Sequence, residues 1–216
     1  GSLVGSDVFT GALSRESGED VGKYVIGQGT LALSANYDLT YVGADLTITA
    51  KPITITADAQ TKVYGDADPT LTYQITSGSL VGSDVFAGAL SRESGEDVGT
   101  YVIGQGTLAL SANYDPTYVG ADLTITARPI TVTADAKSKV YGEDDPALTY
   151  QITSGTLVGS DAFTGDLSRA AGEDVGTYAI NQGTLALSGN YSLDYVGANL
   201  TIAPAIGTDL SITGYT

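Results

Sequence analysis

The chain has 216 residues, a formal net charge of −16, and no histidine, cysteine, methionine or tryptophan. That inventory excludes His- and Cys-based nucleophile systems, imidazole and thiolate metal sites, and disulfide staples. The charge repels phosphate backbones and anionic lipid, so neither nucleic-acid binding nor membrane insertion is expected, and no run of about twenty apolar residues is present.

Carboxylates, hydroxyls and five lysines are what remain for chemistry, and a non-enzymatic role is expected. No basic segment followed by an apolar one opens the chain, so no signal peptide is read. The chain starts in mid-repeat, as a piece of a longer precursor would.

A period of 77 residues organises the sequence. SLVGSDVF begins at Ser2 and Ser79, and TLVGSDAF begins at Thr156. Residues 1–50 match residues 78–127 at all but three positions, and residues 51–127 differ from 128–204 at 22. So long a period with so little drift means a tandem array of folded units. The expected domains are an incomplete repeat, 1–50, complete repeats 51–127 and 128–204, and a divergent tail, 205–216. An incomplete unit lacking the counterpart of 51–77 would carry an open sheet edge.

In the first complete repeat, Ile53-Thr54-Ile55-Thr56 and Leu71–Thr76 alternate apolar with small polar residues. Tyr101-Val102-Ile103, Thr107–Leu110 and a long stretch, Tyr118–Thr126, continue the pattern. Alternation of Thr, Val, Ile and Tyr predicts half-buried strands, punctuated by Gly/Asp turns at 64–68, 77–84, 94–99 and 104–106. Six or seven short strands per unit are expected. Asp97-Val98-Gly99-Thr100-Tyr101 predicts a tyrosine corner, with the phenol hydroxyl bonded to nearby backbone. The motif recurs at Asp20–Tyr24 and Asp174–Tyr178.

The predicted fold is therefore all-β: tandem small β-sandwich, immunoglobulin-like units, with a β-grasp-like unit as the alternative. Lys51-Pro52 and Arg128-Pro129 leave almost no linker between the last strand of one unit and the first of the next. Proline stiffens each hand-over, which predicts a semi-rigid rod of roughly 30–40 Å per unit.

The opening PITITADAQTKVYGDADPTLTYQITSGSLVGSDVFAGALSRESGEDVGTYVI and the closing NYDPTYVGADLTITARP resemble the MBG-type repeat, YGX variety, of long bacterial surface and filamentous-haemagglutinin-like adhesins. Lys62-Val63-Tyr64-Gly65 and Lys139-Val140-Tyr141-Gly142 carry the Tyr-Gly positions. The resemblance implies an exported, extracellular protein with a stalk or adhesive role and no catalytic residues.

Four constellations stand beside ordinary structural readings. Asp66, Asp68, Glu143, Asp144 and Asp145 sit in acidic turns that could bind Ca²⁺, although no EF-hand spacing is present and turn aspartates often bond their own backbone. Lys62 with Asn113, and Lys139 with Asn190, have the chain order of a Lys–Asn isopeptide crosslink. The turn-like flanks of Lys62 favour an exposed lysine instead. Five tyrosines per repeat (64, 73, 101, 114 and 118) could stack on glycans or fill the core. In the tail, Leu210 and Ile212 repeat the strand alternation and could enter the incomplete unit of another copy, a head-to-tail assembly.

Overall fold

The computed structural model describes residues 1–207, which contain strands and no helix. Residues 1–50 form β1 (Ser14–Arg15), β2 (Gly22–Gly27) and β3 (Ala44–Ile48). Residues 51–127 form β4 (Lys51–Ala57), β5 (Gln60–Val63), β6 (Tyr73–Ser77), β7 (Ser91–Arg92), β8 (Gly99–Gly104), β9 (Tyr114–Val119) and β10 (Ala121–Thr126). One period later come β11 (Arg128–Ala134), β12 (Lys137–Val140), β13 (Tyr150–Ser154), β14 (Ser168–Arg169), β15 (Gly176–Asn181), β16 (Tyr191–Val196) and β17 (Ala198–Ala203).

The chain divides into two compact units. One comprises residues 1–59, 71–93 and 102–121; the other comprises 60–70, 94–101 and everything from 122 onward. Both draw on the middle repeat.

In the first unit, β1, β2 and β3 form an antiparallel sheet whose outer strand is β3. A second sheet has the order β6-β4-β9, with β4 antiparallel to β6 and parallel to β9. The alternation of β4 turns Ile53, Ile55 and Ala57 into the interior and leaves the threonines between them partly exposed. Pro52 is tolerated near the start of this central strand because the ladder to β6 begins only at Thr54.

The second unit holds the whole last repeat. Its sheets are β13-β11-β16 and β12-β17-β15-β14. Ala134 of β11 packs with Ile180 of β15 and Leu200 of β17, flanked by Leu148, Leu167, Tyr195 and Ala198. This is a small sandwich whose core comes from alternate residues of both sheets. Pairing repeats with the sequence: Lys51 lies opposite Tyr114, and Arg128 lies opposite Tyr191.

Several expected elements are redrawn. The stretch read as one strand, Tyr118–Thr126, is two, β9 and β10. The last repeat shows why: β16 pairs with β11 while β17 pairs with β12 and β15, so the chain changes sheets at Gly197. A Cβ on Gly197 would lie 3.0 Å from the Ile180 carbonyl oxygen. Thr107–Leu110 contributes only the isolated bridge Ala87–Ala109. Residues 60–63, whose flanks look like turns, form β5, parallel to β10.

Candidate functional site: the joint between repeats

Each repeat carries a preformed clip. The Tyr191 hydroxyl donates to Asp161 Oδ2 at 2.6 Å and accepts from the Val158 amide at 2.8 Å. Tyr114 does the same with Asp84 (2.7 Å) and Val81 (2.8 Å), and Tyr37 with Asp7 (2.7 Å) and Val4 (2.8 Å). Burial, seconded by the carboxylate's hydrogen bond, raises the pKa of Tyr191 and of Tyr114 above the usual phenol value. These phenols stay neutral donors.

Beside the clip, an asparagine grips the tyrosine-corner turn of the preceding repeat. Asn190 Oδ1 accepts from the Val98 amide at 2.9 Å, and Asn190 Nδ2 donates to Asp97 Oδ1 at 2.7 Å. Asn113 makes the same pair with Val21 (2.8 Å) and Asp20 (2.7 Å). The main chain closes each joint, with Lys51 N donating to Asn113 O and Arg128 N to Asn190 O.

In the second unit the Tyr-Gly residues complete the joint. The Tyr64 ring meets Tyr191 edge-on, with centroids 5.5 Å apart, and its hydroxyl donates to Asp161 Oδ2 at 3.0 Å. Arg128 Nε donates to the Tyr64 carbonyl at 2.7 Å, and its guanidinium pairs with Asp66. Gly65 adopts φ +82° against Val158, whose side chain would overlap any Cβ there.

Two buried lysines are the main feature that sequence reasoning missed. Lys62 and Lys139 have nearly inaccessible side chains, where turn-like neighbours suggested an exposed lysine. Lys62 Nζ lies 2.6 Å from Asp68 and 2.5 Å from Glu96; Lys139 Nζ lies 2.7 Å from Asp145 and 2.5 Å from Glu173. The alternation of β5 and β12, in which Lys62 and Lys139 take inward positions, was the available signal.

Arg169 also pairs with Asp145 and Glu173, and it stacks over Tyr178 at 5.5 Å. Hydrogen bonds from Arg169 and then Lys139 hold Asp145 at a pKa of about 2. The bonds to Asp145 and Glu173 raise Lys139 against the opposing effect of burial. At Lys62 burial is the largest single influence and lowers the pKa, but Asp68 and Glu96 together outweigh it and the net direction is upward. An ammonium held charged in this way is a poor nucleophile toward an amide or a carboxyl.

The residues singled out by sequence are thus dispersed among different partners. Asn190 holds the Asp97 turn while Lys139 holds two carboxylates, so neither is turned to the other for a crosslink. Asn113 likewise grips Asp20, and Lys62 its own acids. Asp66, Asp68 and Asp145 are paired with cations, and Glu143 accepts from the Val140 amide. Asp144 is exposed. Among the described residues no group of three or more acids, histidines or cysteines could hold a metal ion.

Leu210 and Ile212 lie outside the described residues. The tyrosines are used internally: Tyr73 packs edge-on against Phe86, Tyr101 bonds Asp97 O, and Tyr118 bonds Ile103 O. The corner is present in all three copies, at 2.8 Å for Tyr24, 2.9 Å for Tyr101 and 2.8 Å for Tyr178.

Fold and joint together define a tandem array of all-β modules, each built to grip its neighbour. A family model described as MBG domain (YGX type) matches residues 1–47, 53–124 and 130–201, and the chain belongs to that family of repeat modules typical of surface proteins. No curated protein and no solved structure matches it.

Proposed function

We propose that the chain is a non-enzymatic spacer segment of an exported bacterial surface protein, serving as stalk or fibre in an adhesin or extracellular filament. The observation that carries this reading is the repeated joint: Asn113 and Asn190 make the same two bonds, one period apart, to the same turn. A module whose recurring polar investment lies at its boundary with the next module is suited to setting a distance. The acidic surface keeps such a strand-rich array soluble outside the cell.

The test is to insert further copies of residues 51–127 and to measure particle length by electron microscopy and small-angle scattering. Length should grow by a constant increment, roughly 30–40 Å per copy. Collapse into a compact particle of unchanged length would refute the spacer reading.

A further inference from the structure

The seat that Tyr64 fills in the second unit has an unfilled counterpart in the first. Residues Glu19, Asp20, Val21, Ile48, Thr49, Lys51, Val81, Asp84, Asn113 and Tyr114 enclose a cavity of about 310 Å³. Ligand-sized cavities run from roughly 300 Å³ upward. Seventy-seven positions later, the matching residues are the surroundings of Tyr64. Tyr191 takes its ring edge, Asp161 its hydroxyl, Thr126 its amide, and Arg128 its carbonyl. Val158 meets Gly65.

Residues 1–50 contain no counterpart of the Tyr-Gly segment. Lys51, standing where Arg128 holds the Tyr64 carbonyl, reaches Ser79 instead at 3.1 Å.

A strand track leads into this cavity. In the filled case β5 runs parallel to β10, with Gln60 to Val63 opposite Leu123 to Thr126. The corresponding strand, β3, pairs only with β2, so its other edge offers unpaired backbone groups. Leu46 is 38% exposed, whereas its counterparts Leu123 and Leu200 are fully buried. Glu19, matching the Glu96 that receives Lys62, stands at the rim and is 82% exposed along its side chain.

We propose that this cavity and the free edge of β3 form a binding site for an extended Lys-Val-Tyr-Gly strand supplied by another molecule of the same repeat type. The strand adds parallel to β3. Its tyrosine enters the cavity to donate to Asp84, its glycine passes Val81, and its lysine meets Glu19. The proposal does not depend on the spacer reading, since it concerns one complementary cavity.

The test uses the full chain and a synthetic peptide of sequence 59–69, followed by calorimetry and by amide chemical shifts. Saturable binding with a Kd below about 1 mM is expected. Shifts should be confined to Leu46–Thr49, Val81 and Tyr114. A peptide with Tyr64→Ala or Gly65→Val should bind at least tenfold more weakly. In the chain, Val81→Trp, at a position 56% exposed and so tolerant of change, should block the seat while leaving the thermal transition in place. Absence of binding at 1 mM, equal affinity of the Tyr64→Ala peptide, or shifts elsewhere would overturn the proposal.

Discussion

At Gly172 the backbone takes φ +140°, and a Cβ would overlap the Tyr178 ring. The glycine is therefore needed twice, for its dihedral and for the ring lying against it, while the Tyr178 hydroxyl adds one bond to the Asp174 carbonyl. Tyr178→Phe should cost about 0.5–1.5 kcal/mol, the net worth of a hydrogen bond. Gly172→Ala should cost more, on the order of 1–3 kcal/mol, because strain and overlap act together. Urea unfolding of the two variants decides the ranking.

The charge cluster makes a pH prediction. Asp145 has a folded pKa of about 2, below its ordinary 3.8. A depressed carboxylate stabilises the fold above its unfolded pKa and loses that contribution as pH falls through the folded value. The difference in melting temperature between the chain and its Asp145→Asn variant should be largest above about pH 5 and shrink toward pH 2. Comparing the two at each pH cancels the global acid effect common to both.

Between elements, the hydrogen bonds of the joint are few and specific. Asn190→Ala removes both bonds to the Asp97 turn and leaves the Val98 amide without its acceptor. The expected cost is about 1–3 kcal/mol. Its signature is local: hydrogen exchange at Val98 should accelerate at least tenfold while amides of β15 and β17 keep their protection. Asn113→Ala should do the same at Val21.

Element context also overrides local sequence. Residues 36–43 and 113–120 differ at one position only, Leu39 against Pro116, yet 114–119 form β9 and their counterparts form no strand. β9 exists because β4 lies beside it in parallel register; the earlier segment has no such neighbour.

For the molecule as a whole, a charge of −16 on 216 residues is a standing self-repulsion. Screening it should raise the melting temperature between about 10 mM and 500 mM salt, because exposed like charges are screened more effectively than the buried lysine clusters. A melting temperature that falls with salt would mean that surface ion pairs outweigh repulsion.

Periodicity, alternation and the Asp-x-Gly-x-Tyr turn were enough to establish the array, its all-β character, the near-continuous strand at each hand-over and the three tyrosine corners. All are properties of residues close in sequence, where backbone preference and side-chain pattern speak directly. The clip and the asparagine grip were not legible, since Asn190 and Val98 are 92 residues apart and neither type is unusual in a loop. The buried lysines were hidden for a related reason: carboxylates six and 34 residues away make burial of Lys62 tolerable, and only the assembled strands bring them together. Local pattern decides which segments become strands where a partner exists; long-range pairing decides whether the partner is there and which polar groups are satisfied by it.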